Sequence, residues 1–185
     1  MVASRVVGGM LMGCVVSVLV GCQTGGSGPR IVQAATPQQK DATLGKLMAL
    51  QGTWVLTKSN GQDVAPADQG TITFSTSSQG SVVREVMFPG TDHEMTNMYH
   101  MDGSDVVVTH YCAMGNQPRM RCTGANGNSL EFKFDSATNV RSRDESCMGE
   151  LTVRFVDERT IEQVWTTSKG DQREPHAVFT LTRKN

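Results

Sequence analysis

Turn-forming pairs punctuate the chain at near-regular intervals: Asn60-Gly61, Gln79-Gly80, Pro89-Gly90, Asp102-Gly103, Gly115-Asn116, Asn126-Gly127, Asp157-Glu158 and Lys169-Gly170. Between them lie runs of β-type residues at 54–58, 71–75, 82–88, 94–101, 106–113, 119–123, 130–134, 151–155, 161–167 and 177–183. Gly and Asn tolerate the positive φ of tight hairpin turns, so runs joined this way pair antiparallel with their sequence neighbours. The pattern therefore predicts a barrel or sandwich of hairpin-linked strands. Alternation is clearest late in the chain, where Leu130, Phe132 and Phe134 interleave with Glu131, Lys133 and Asp135. Leu151, Val153 and Phe155 interleave likewise with Thr152 and Arg154. Such strands have one dry and one wet face. The polar interval 136–148 predicts a long loop or a short helical lid.

Ahead of the first run, Thr36-Pro37-Gln38-Gln39 reads as a helix start, with Thr as cap, Pro in the first turn and Gln at the third position. Leu44, Leu47 and Met48 follow at helical spacing, so one short amphipathic helix is expected to end near Leu50-Gln51-Gly52. Residues 23–35 are rich in Gly, Ser and Gln and read as a flexible tether. Further upstream, Arg5 precedes an apolar run over 6–20 that is too short to span a bilayer comfortably and ends in small residues, the pattern of a secretory signal. Its end, Leu19-Val20-Gly21-Cys22 followed by Gln23-Thr24-Gly25-Gly26, resembles the lipobox of bacterial lipoproteins. That resemblance implies diacylglyceryl transfer to the Cys22 thiol, cleavage before it and acylation of the new amino terminus. Several acyl chains together anchor stably to a membrane, where one alone is marginal. In that family Asp after the lipidated Cys favours the inner membrane, so Gln23 implies the outer membrane and a domain facing the periplasm. The expected organisation is a signal peptide over 1–21, a tether over 22–35 and one β-domain over 36–185.

The formal net charge of −1 gives no strong field to recruit nucleic acid or an anionic surface. Two Trp and two Tyr offer few stacking platforms, which further weakens a nucleic-acid reading. Export would place the domain in a disulfide-permissive compartment. With Cys14 removed and Cys22 lipidated, Cys112, Cys122 and Cys147 remain, so at most one internal bridge forms. In a meander the end of the 106–113 strand and the start of the 148–155 strand share a rim. This favours Cys112–Cys147, with a Cys112–Cys122 bridge across the hairpin as the competitor.

A helix running into Gly52-Thr53-Trp54, followed by about ten meandering strands that end in Phe179-Thr180-Leu181-Thr182-Arg183, resembles the lipocalin-like (calycin) barrels. In that group a basic side chain of the last strand packs on the Gly-x-Trp tryptophan, which implies a cation–π contact between Arg183 and Trp54 at the closed end. The stretch Met98-Tyr99-His100-Met101-Asp102-Gly103, with the segment over 109–120, also resembles a group of exported bacterial lipocalin-like proteins, a likeness that implies no activity. The expected fold is thus all-β: an antiparallel up-and-down lipocalin-like barrel of about 8–10 strands with one short N-terminal helix.

The Asp102-Gly103 turn fixes the faces of one hairpin. With a two- or four-residue loop, Met95, Asn97, Tyr99 and Met101 share a face with Val106, Val108, His110 and Cys112; a bulged three-residue loop reverses this. The opposite face carries Glu94, Thr96, His100, Thr109 and Tyr111, so the first set is expected inside. An interior holding Asn97, Tyr99, His110 and Cys112 beside Met and Val, joined by Glu85 and Gln163, suits a ligand cavity with apolar walls and a few placed polar groups. It equally suits a filled core in which those groups satisfy one another.

Other constellations weigh less. His93-Glu94 lacks the second His of a zinc-protease helix and sits in a strand-type segment. Met95, Met98, His100 and Met101, with Met87, Met114 and Met120 nearby in sequence, suggest copper, but on a strand Met95 and Met101 point away from Met98 and His100, and Met is a common core filler. His110 and Cys112 could form a thiolate–imidazole pair, though no third orienting group is evident. Arg119 and Arg121 face one way and could meet an anionic headgroup or simply water. The reading that follows is a lipid-anchored protein binding a small, partly apolar ligand, without cofactor or metal. Its rivals are a filled-barrel structural or assembly-helper lipoprotein, and an enzyme using His110 with Cys112 or Glu85.

Overall fold

The computed structural model describes residues 30–142 and 144–185. The expected signal peptide over 1–21, Cys22 and the expected tether as far as residue 29 lie outside the described residues.

The helix forms where its cap predicts. Thr36 Oγ1 accepts from the Gln39 amide at 3.3 Å while Gln39 Oε1 accepts from the Thr36 amide at 2.8 Å, a reciprocal capping box. The helix runs for 12 residues, α-helical over Pro37–Lys40, π-helical over Asp41–Gly45 and α-helical again over Lys46–Met48. Its inner stripe of Leu44 and Leu47, with Leu50 just beyond its end, is buried in the barrel's core.

Strands follow as β1 (Gly52–Ser59), β2 (Gln62–Asp63), β3 (Thr71–Ser77), β4 (Val82–Met87), β5 (Met95–Asp102), β6 (Asp105–Tyr111), β7 (Gln117–Cys122), β8 (Ala125–Asn126), β9 (Ser129–Thr138), β10 (Cys147–Phe155), β11 (Thr160–Lys169) and β12 (Gln172–Arg183). The two-residue β2 and β8 merely flank β1 and β9. The other ten match the ten sequence runs and pair antiparallel in the order β10-β11-β12-β1-β3-β4-β5-β6-β7-β9, with β9 closing on β10. A closed barrel leaves no unpaired edge to recruit another strand. The expected loop over 136–148 is shorter than predicted, because β9 continues to Thr138 and β10 begins at Cys147. At the end of β9, Ser136 and Thr138 are exposed and Ala137 is half-buried, so that extension has no apolar alternation to betray it.

The helix seals one end. Trp54 is 1 % exposed, donates from Nε1 to the Leu50 carbonyl at 2.8 Å and meets Phe74 edge-on, with ring centroids 6.5 Å apart. Arg183, opposite Trp54 in the β1–β12 register, lies 4.4 Å from its ring centre. Its guanidinium also donates to the carbonyls of Gln51 at 2.8 Å and Ala49 at 2.9 Å. Carbonyls at a helix C-terminus have no intrahelical partner, so one arginine both caps the helix and covers the tryptophan.

Candidate functional site

Register decides what the interior holds. Asp102 pairs with Asp105, so Gly103 and Ser104 form a two-residue loop, and Gly103 takes the positive φ of 68° that such a loop needs. Asn97 then lies opposite His110, Tyr99 opposite Val108, and Glu85 of β4 opposite Asn97. All of these are interior, as the two-residue alternative predicts. Cys112 lies just past β6 at the rim and is only partly buried.

Glu85 is the hub. Its Oε2 accepts from the Tyr99 hydroxyl at 2.6 Å and from Asn97 Nδ2 at 2.8 Å, and its Oε1 accepts from Gln163 Nε2 across the barrel at 2.7 Å. Gln163 Oε1 in turn accepts from Trp165 Nε1 at 3.3 Å. Asn97 Oδ1 lies 2.7 Å from His110 Nδ1. With its Nδ2 committed to the carboxylate, Asn97 can only accept there, so Nδ1 carries the imidazole proton and Nε2 the lone pair. Around Glu85 the interior therefore takes the filled arrangement: the polar groups satisfy one another rather than facing an open cavity.

One atom stands apart from this network. His110 Nε2 is buried without a hydrogen-bond partner among the described residues, in a residue 1 % exposed. Its ring leans on Trp165, centroids 5.3 Å apart, and no hydrogen bond joins it to Cys112 among the described residues, so a thiolate–imidazole pair is not assembled. Burial lowers its pKa from 6.5 to about 4. Burial raises that of Glu85, against the opposing hydrogen bonds from Tyr99, Gln163 and Asn97; Tyr99 is pushed well up by burial and then by the Glu85 charge. For His110 the folded value lies below the unfolded one. Its neutral form therefore contributes stability that is fully present above pH 6.5 and lost as pH falls towards 4, amounting to about 3 kcal/mol. An NMR titration should find the His110 ring neutral until about pH 4, and a midpoint near 6.5 would refute its burial.

Space exists at both rims. At the open end a cavity of about 40 Å³ is lined by Met87, Met95, His110, Met148, Trp165, His176 and Phe179. At the helix end residues 32–35, the last of the expected tether, run as a largely exposed strap beside the β5–β6 turn. A Cβ on Gly103 would come within 2.8 Å of Val32 Cγ1. Under the strap lies a groove of about 530 Å³ walled by Val32, Ala34, Ala35, Leu44, Val82 and Met101, with Lys40, His100 and Asp102 at its edge. Lys40 takes no ion-pair partner among the described residues. Desolvation, then the Arg119 charge, lowers the pKa of His100.

Arg119 and Arg121 are not a free cationic platform. They pair with Asp102 at 2.9 and 2.6 Å, and Arg121 also pairs with Asp105 at 3.0 Å. Glu94 sits just ahead of β5, and its carboxylate accepts from the Gly90 amide at 2.7 Å. Cys112, Cys122 and Cys147 are free thiols here. The Cys147 thiol is raised by burial and, more weakly, by Cys112, so these two lie within electrostatic reach while Cys122 is buried near the other end.

Sequence reasoning missed Trp165 and Met148 as rim residues. Trp165 could have been found, lying two positions from Gln163 on one strand face; Met148 sits beside a bulge that shifts the β10–β11 register and hides its direction. No protein-family model and no curated protein matches the chain.

Proposed function

We propose that this is a lipid-anchored protein of the bacterial envelope, tethered through Cys22, whose lipocalin-like barrel holds a small, partly apolar molecule with an anionic head. The ligand seat is the strap groove rather than the barrel's middle. The groove's volume of about 530 Å³ falls in the range of organic ligand sites, and that observation carries the reading. Its walls are aliphatic, suiting an acyl chain, and Lys40 at its edge offers an unpaired ammonium for a carboxylate or phosphate. Val32 follows Cys22 by a short Gly- and Ser-containing segment, so a ligand held there would be kept near the surface into which amphiphiles partition. In an oxidising envelope, Cys112 and Cys147 would be the pair that joins.

The test uses the chain processed in a bacterial cell. Cys22→Ser should release the protein from the membrane fraction, and normal fractionation of that variant would sink the anchoring. A fluorescent long-chain fatty acid should bind the released protein, and Lys40→Glu should weaken it roughly tenfold, equivalent to about 1.4 kcal/mol. Absence of binding would favour a filled-barrel lipoprotein acting through its outer surface.

A further inference from the structure

The open mouth, at the end away from the helix, gathers sulfur and nitrogen donors that the groove reading does not use. Met87 and Met95 are direct cross-strand partners on β4 and β5, Met148 approaches from β10, and His110 forms the floor. His176 stands at the exposed rim of β12.

We propose that this mouth is a binding site for a soft, monovalent metal cation of the copper(I) or silver(I) class, held by His110 Nε2 and the thioethers of Met87, Met95 and Met148. The first support is the orphaned nitrogen. A buried acceptor without a partner carries a desolvation cost of about 1–3 kcal/mol, and native proteins rarely keep one without a use. The Asn97 carbonyl fixes the tautomer and the ring plane from behind, as the outer partners of metal-bound histidines do. That leaves the Nε2 lone pair as the ring's only open donor, and His110 lines the mouth cavity.

Donor chemistry and size decide the class of guest. Thioethers and imidazole are soft or borderline ligands that favour copper(I), whereas magnesium, calcium and manganese want oxygen. No carboxylate lines this cavity, because Glu85 is turned away into its own network. A neutral donor set suits a singly charged ion better than a doubly charged one, which would go uncompensated in apolar surroundings. A cavity of about 40 Å³ admits one atom-sized guest and is far below an organic ligand's needs. Neither thioethers nor a neutral imidazole must shed a proton to bind, so association involves no proton release and no change of oxidation state. The site differs from the methionine and histidine run on β5. Of the residues whose sequence suggested copper only Met87 and Met95 take part, and Met148 and His110 come from other strands.

Silver(I) is the probe, because it is isoelectronic in its valence shell with copper(I) and stable in air. Titrated into the intact folded chain, one equivalent should shift the methyl NMR signals of Met87, Met95 and Met148 together with the His110 ring. Magnesium should leave them unmoved. Met95→Leu and Met148→Leu replace partly buried side chains of similar volume, so both should fold; each should weaken silver binding roughly tenfold or more. Silver that shifts only the signals around Cys112 and Cys147, or that binds both variants as tightly as the native chain, would overturn the proposal.

Discussion

Trp54→Ala should lower the folding free energy by about 3–5 kcal/mol, the range for deleting a buried aromatic ring. The indole is 1 % exposed and does more than fill space. It packs edge-on to Phe74, holds the helix end through the Leu50 carbonyl, and lies under the Arg183 guanidinium. Its loss opens a cavity where helix, β1 and β12 meet, and the helix has too few residues to persist without that packing. Arg183→Ala should cost less, about 1–3 kcal/mol, since two carbonyl hydrogen bonds and a cation–π contact disappear while the ring stays covered on its other side. Arg183→Lys should recover only part of this, because an ammonium cannot reach both carbonyls in the fork geometry of a guanidinium. Urea melts of the three variants give the order directly. Neutral results for both Trp54→Ala and Arg183→Ala would mean that this contact does not close the barrel.

Much of that closure was legible in the sequence because its parts are local. A capping box, an apolar stripe at helical spacing and turn pairs at short intervals each act within a few residues, and each formed where expected. The face assignment of the β5–β6 hairpin held because one glycine fixes the loop length, after which the two-residue period sets the side chains as far as His110. What stayed hidden depends on distance along the chain. Glu85 and Gln163 were recognisable as polar residues in dry strands, but only barrel closure brings them within 2.7 Å of each other across the interior. Whether the interior was cavity or core turned on that contact. The strap escaped for a different reason: Val32 comes against the β5–β6 turn at a residue without a Cβ, while residues 32–34 stay exposed. Composition describes what a segment can do in isolation and is silent about such a docking partner.

Glu85→Leu should be the most damaging polar substitution, and its cost should depend on which donors remain. In the native chain one carboxylate serves the Tyr99 hydroxyl, the Asn97 amide and the Gln163 amide, all in residues with no exposure. Leucine fills similar space but leaves the buried Tyr99 and Gln163 donors without an acceptor, each costing about 1–3 kcal/mol, and Asn97 Nδ2 with only the weak Met87 sulfur at 3.5 Å. Against this stands relief from burying a carboxylate, whose pKa desolvation has raised. The net expectation is a loss of about 3–5 kcal/mol. The sign of the pH dependence follows from the same shift. Native Glu85 holds its proton to higher pH than the unfolded chain does, so its part of the stability is greatest below pH 4.5 and declines as pH rises through the raised value. That decline should vanish in Glu85→Leu, leaving the opposite trend of His110. A double-mutant cycle separates a network from a set of independent bonds. Tyr99→Phe should be costly in the native chain, where it takes one donor from a buried carboxylate, but nearly neutral or stabilising beside Glu85→Leu, where it removes an orphaned hydroxyl. Equal costs of Tyr99→Phe in the two backgrounds would show that Glu85 does not organise the interior.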